Sequence, residues 1–237
     1  MGYDVSFHPI SPEEMREWYF TPLTWIQQGQ EKKVLTLAAQ HGVEDFYAEK
    51  YLDTLRVGAG TESDELFDKS HGFYIAVIQG FFRDYYYTRD SAFSFLVDQK
   101  PEYTRYFTSW ERVTPVSFPN PMQNRIIENY CSGVYLSPDQ VVQLLKDMEQ
   151  DPKVLEDLER LWSNGQIAVL KKALSAAAKS GAGLLEATEV VEPNPISPNE
   201  STSYSNLYHC DRDGVYLYIG TVSGQLADAI EKNEGRT

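Results

Sequence analysis

The sequence predicts an α+β fold: one mixed or antiparallel sheet, several helices packed outside it, and a C-terminal β-hairpin. Three observations carry this. A strand, a Ser-Pro cap and a helix follow one another twice, at 3–20 and again at 130–149. Apolar residues recur at helical spacing through much of the chain between 31 and 180. Strand-like runs flank Asp213-Gly214, a strong turn signal, near the end.

The elements follow in order. "YDVSFHPI" alternates, with Tyr3, Val5 and Phe7 on one face, and reads as a strand that ends at His8 before a cap. In "SPEEMREWYF" Ser11 is the N-cap, Pro12 takes the first helical position and Glu14 completes a capping box. Residues 31–41 form a helix stopped by Gly42, and 43–56 form another, before a polar loop through "GTESDE". Residues 67–110 hold 14 of the 31 aromatic residues. There Tyr74, Val77, Ile78, Phe81, Phe82 and Tyr85 follow helical spacing and predict a buried helix. "AFSFLVD" fits strand or helix, and Tyr103, Tyr106, Phe107 and Trp110 keep helical spacing. Pro115, Pro119 and Pro121 mark an irregular crossing.

"NYCSGVYL" is then a strand, and Ser137, Pro138 and Gln140 repeat the cap before the apolar stripe Val141, Leu144, Leu145 and Met148. Asp151-Pro152 starts a further helix. "GQIAVLKKALSAAAKSG" is a helix ended by Gly181 or Gly183, and "LLEATEVV" is a strand. The third Ser-Pro-x-acid copy, at 197–200, precedes no apolar stripe and so should not start a long helix. The whole chain, 1–237, reads as a single α+β domain. An internal boundary near 113–122 would divide an aromatic helical part, 1–120, from a strand-helix-hairpin part, 121–237.

Composition excludes several classes. The formal net charge of −14 is spread along the chain and repels phosphate backbones and anionic membranes. No nucleic-acid or membrane partner is expected, whereas a basic protein or a cationic ligand suits such a surface. No apolar run approaches the roughly 20 residues of a membrane span, and the N-terminus lacks the pattern of a signal peptide. Gly2 and Ser6 match a myristoylation pattern, but Tyr3-Asp4 is an acidic context for it. Two cysteines, Cys131 and Cys210, make no disulfide framework, so a cytoplasmic setting is expected. No nucleotide loop, nucleophile elbow or metal spacing occurs, so no cofactor and no metal is expected.

Two stretches could carry function. In "RDYYYTRD" the pairs Arg83-Asp84 and Arg89-Asp90 bracket Tyr85, Tyr86 and Tyr87. Three consecutive tyrosines cannot all face the core from one helix. At least one should reach the surface, where Tyr and Arg anchor partners. In "YHCDRD" a strand would place His209 and Asp211 on one face and Cys210 on the other, as an oriented general base requires.

At "VYLSPDQVVQLLKDM", the acidic helical stretch after it and "VLKKALSAAAKSGAGLLEATE", together with the N-terminal strand and Ser-Pro-Glu-Glu helix, the chain resembles the YfbM-like family of uncharacterised bacterial proteins. The similarity covers about a third of the chain. It implies a cytosolic α+β fold and carries over no catalytic residue. With the acidity and the tyrosine surplus, the expected role is a non-enzymatic protein-binding module of immunity or antitoxin type that sequesters a basic partner. The alternative is a hydrolase-like enzyme on a small molecule, using His209 with Asp211 or a cysteine beneath the 192–203 loop.

Overall fold

The structure, a computed structural model, describes residues 3–61, 69–89, 91–118 and 122–234. Most of the loop expected at 60–65 lies outside these residues, as do Gly2, Asp90, Pro119 and Pro121.

Five strands build the main sheet: β1 (Asp4–Ile10), β2 (Tyr85–Arg89), β3 (Ser132–Leu136), β4 (Gly183–Thr188) and β7 (Cys210–Asp211). Their order is β3-β4-β1-β2-β7. Every neighbouring pair is antiparallel except β2 with β7, so the sheet is mixed. Strands from both sides of residues 113–122 therefore lie in one sheet.

Helices cover both faces. On the first face lie α1 (Pro12–Met15), α2 (Thr21–Gln27), α3 (Glu31–Gln40), α4 (Asp45–Ala59) and α5 (His71–Phe82), around a core with Tyr85, Tyr87, Tyr135 and Leu185. On the second lie α6 (Phe93–Gln99), α7 (Pro138–Gln150), α8 (Pro152–Leu161) and α9 (Ile167–Ser180), around Val5, Phe7, Tyr86, Val134 and Leu184. Two-residue alternation sends successive strand side chains to opposite cores. A sheet covered twice has no solvent face, so its strands need not alternate apolar with polar.

That layering corrects the reading of the tyrosines. Tyr85 does not continue the α5 helix; the chain breaks after Phe82 and Tyr85 opens β2. All three tyrosines are buried: Tyr85 and Tyr87 are 0% exposed and Tyr86 is 7%. The surface position expected of at least one assumed a helix, whereas a central strand has a core on each side.

The local signals at helix ends hold. Ser11 Oγ accepts from Glu14 N at 3.2 Å while Ser11 N donates to Glu14 Oε2 at 2.8 Å. Ser137 and Gln140 form the same reciprocal pair, Asp151 caps α8, and Gly181 ends α9 with φ +68°. "AFSFLVD" resolves as helix, and Pro101–Tyr106 and Trp110–Arg112 are short 3-10 turns. The third Ser-Pro copy starts only the turn Pro198–Glu200.

A hairpin is present in the C-terminal part, formed by β5 (Val191–Glu192) and β6 (Thr202–Ser203). It is not at Asp213-Gly214. There α10 (Asp213–Glu234) begins. Gly214 serves close approach rather than a turn: a Cβ on it would lie 1.8 Å from the Tyr87 carbonyl oxygen. The glycine lets the first turn of α10 rest on the backbone of β2.

Candidate functional site

The helix that follows β1 is continuous from Pro12 to Gln27, but Arg16–Phe20 is wound as a π segment. Pro22 supplies a reason. It has no N–H, so the Trp18 carbonyl loses its ordinary α-helical donor. The Tyr51 hydroxyl from α4 donates to that carbonyl instead, at 2.7 Å. Such π segments frequently sit at functional sites, and both ends of this one, Arg16 and Phe20, line a cleft of about 570 Å3.

The cleft lies between this helix, α3, the end of α4 and the start of α5. His71 lies at its base, 2% exposed. Its Nδ1 is 2.6 Å from the hydroxyl of the buried Tyr19. Burial lowers the His71 pKa, which favours the neutral ring. Phe118 packs edge-on against His71 at 4.7 Å and against Phe20 at 5.0 Å. Gly58 leaves room for the pair below: a Cβ there would stand 3.0 Å from the Tyr19 hydroxyl oxygen.

The charged residues of the lining are Arg16 and Lys33, both exposed. Neither forms an ion pair with a described residue. Lys33 Nζ lies 5.7 Å over the Trp25 ring, also in the lining. Gln30 adds a buried Oε1 with no hydrogen-bond partner among the described residues. The cleft thus offers two cations, an aromatic wall, several amides and one unsatisfied acceptor. No described aspartate or glutamate lines it.

The residues expected from sequence lie elsewhere. Arg83 pairs with Glu14 and stacks over Trp18 at 4.9 Å. Arg89 pairs with Asp4 and stacks over Tyr218 at 5.0 Å. Tyr87 donates to Asp4 Oδ1 at 2.5 Å, and the Tyr85 hydroxyl is 3.1 Å from Ser203 Oγ. The five residues 83, 85, 86, 87 and 89 are thus engaged within the molecule rather than presented together on its surface.

His209 and Asp211 do not form an oriented base. His209 Nδ1 meets the Gly80 carbonyl at 2.9 Å, while Asp211 takes Lys172 at 2.5 Å. Cys210 borders a second cavity, about 340 Å3, beside Pro198 and Ser201 of the 192–203 segment. Burial pushes its thiol up to about 12, so it stays protonated at neutral pH. Cys131 is buried as well, its thiol is also raised, and neither cysteine is in a disulfide. No group of acids, histidines and cysteines fit to hold a metal ion occurs among the described residues. No described helix is long and apolar enough to cross a membrane.

No motif in the sequence marks Arg16, Lys33 or His71. The one local signal is Pro22, a helix breaker shortly after the run that the Ser11 cap starts. In comparisons with known proteins, no family model, no curated protein and no solved structure matches the chain.

Proposed function

We propose that this chain is a binding protein for a small anionic molecule, held in the cleft above the Tyr19–His71 pair. One observation carries the reading. In a chain of net charge −14, the charged lining of this cleft among the described residues is Arg16 and Lys33, with no carboxylate. Distant acids do not cancel that: charges more than about 8 Å apart at the surface are largely screened at physiological salt. The volume, about 570 Å3, falls within the range usual for small-molecule sites. Trp25 and Phe118 offer apolar surface beside the cations, and Gln30 Oε1 awaits a donor. His71, neutral and already bonded, shapes the floor rather than acting as a base.

The protein-sequestering reading keeps the overall acidity as its support, because the tyrosines meant to form its surface are buried. A basic partner would meet the acidic exterior, not this cleft.

The test is a ligand panel of carboxylates, phosphates and mononucleotides, with neutral and cationic molecules of similar size as controls. Melting temperature and titration calorimetry are the readouts. An anionic member should raise the melting temperature by mass action. The exposed double variant Arg16→Ala with Lys33→Ala should melt like the parent alone yet bind that ligand at least about tenfold more weakly. Failure of every anion to bind, or equal binding by the double variant, defeats the reading.

A further inference from the structure

Away from the cleft, three rings cluster on the first face of the sheet. Phe73, Tyr130 and Tyr204 stand nearly perpendicular to one another, at 85°, 79° and 80°. Their centroids are 5.6, 5.4 and 5.8 Å apart. Lys69 Nζ lies over two of them, 4.4 Å from the Tyr204 centroid and 5.4 Å from that of Tyr130. Lys69 has no ion pair with a described carboxylate. Its ammonium is held by ring faces, whose quadrupoles attract a cation.

Three details make this arrangement more than a surface lysine lying on a ring. The walls are fixed by backbone: Ser70 N donates to Tyr130 O at 3.0 Å, and Tyr204 N donates to Val190 O at 3.0 Å. Tyr130 holds a left-handed conformation, φ +59°, a cost that a tyrosine meets only where its surroundings fix it. Its hydroxyl donates to Glu192 Oε1 at 3.3 Å, which makes the ring more electron-rich and adds a negative charge nearby. Beside Lys69 and Tyr204 opens a cavity of about 330 Å3 bordered by Val57, Tyr74 and Val77, wide enough for an alkyl stem.

We propose that Tyr130 and Tyr204, on a base of Phe73, form an aromatic cage for an alkylammonium group, with Lys69 as its resident plug. When Lys69 swings out, the cage takes the ligand's ammonium and the neighbouring cavity takes its stem. An acidic exterior favours the approach of such a cation.

The experiment uses the full chain, its Lys69→Ala variant and the double variant Lys69→Ala with Tyr204→Ala. Choline is the small-molecule probe, and the neutral alcohol in which carbon replaces its nitrogen is the control. A peptide carrying trimethyl-lysine is the second probe. Titration calorimetry is the readout, with circular dichroism to confirm that each variant is folded. Removing the plug should tighten binding of choline or of the peptide about tenfold over the parent, and removing the Tyr204 wall should abolish that gain. The neutral alcohol should not bind. Tighter binding of choline assigns the site to small molecules, and binding of the peptide alone assigns it to a protein ligand. If Lys69→Ala binds neither probe better than the parent, or the neutral alcohol binds as well as choline, the cage is packing only and the proposal falls.

Discussion

His8 makes one buried ring a pH-dependent contributor to the stability of this protein. It is 0% exposed on β1 and stacks on Tyr85 with centroids 5.1 Å apart. Its Nδ1 lies 2.6 Å from Gln79 Oε1, and its Nε2 lies 2.8 Å from Ser6 Oγ. Gln79 Nε2 donates to the Asp84 carbonyl, so the Gln79 oxygen faces His8 as an acceptor. The ring therefore carries its proton on Nδ1 and accepts from the Ser6 hydroxyl at Nε2. Both nitrogens are satisfied in the neutral form, and burial pushes the pKa down to about 3 from 6.5. Below pH 6.5 the unfolded chain takes up a proton that the folded chain refuses until about 3. The His8 contribution is thus whole above the unfolded value and is lost as pH falls through this window. At about 1.4 kcal/mol per pH unit, the loss between pH 7 and 5 is about 2 kcal/mol. Glu186 and Glu189, both pushed up to about 7 by burial, act with opposite sign: they favour the folded state at low pH and lose that contribution as pH rises from 4.5 to about 7. The raw stability of the parent therefore mixes the two effects, and a difference isolates one. Urea unfolding of the parent and of His8→Gln, followed by tryptophan fluorescence at pH 7 and at pH 5, gives that difference. Parent minus variant should shrink by about 2 kcal/mol on going to pH 5. A difference that does not change with pH, or a His8 resonance titrating near 6.5, would refute the reasoning.

Three further outcomes follow from contacts already described. Gly214→Ala must move α10 off the Tyr87 carbonyl, so it should cost about 3 kcal/mol in urea unfolding, whereas Ala at an ordinary helical glycine would stabilise; Gly224→Ala, with nothing within 4 Å, is the matched control. Ser137→Ala removes one half of a capping box and should cost about 1 kcal/mol, read as a lower unfolding midpoint with an unchanged denaturant slope. Cys131 and Cys210 should resist alkylation in the native protein at pH 8 and react fully in urea, since both thiols are buried and raised; mass spectrometry showing rapid native labelling at Cys210 would contradict its protonated state.

What the sequence revealed and what it hid divide by distance along the chain. The two capping boxes span three residues each and are satisfied by their own backbone, so Ser11 with Glu14 and Ser137 with Gln140 could be read from the letters alone. Tyr85, Tyr86 and Tyr87 could not. Whether such a run is an exposed helix edge or a strand buried twice depends on what packs on each side. Those layers come from α5 on one face and α9 on the other. Asp213-Gly214 misled for the same reason, since the letters of a turn are also the letters of a close approach. The cleft is the extreme case: Arg16, Lys33 and His71 come from three separate elements, and nothing within any one of them marks it as a site. Pro22 was the exception, because a missing N–H is a local fact with a structural consequence. It leaves the Trp18 carbonyl to Tyr51, the helix rewinds over Arg16–Phe20, and Arg16 comes to lie beside the same cleft as Phe20. Pro22→Ala would restore the donor that Trp18 lacks and favour an ordinary α-helical turn. If the π winding sets the position of Arg16, that variant should stay folded, bind the anionic ligand more weakly, and keep the alkylammonium site on the sheet unchanged.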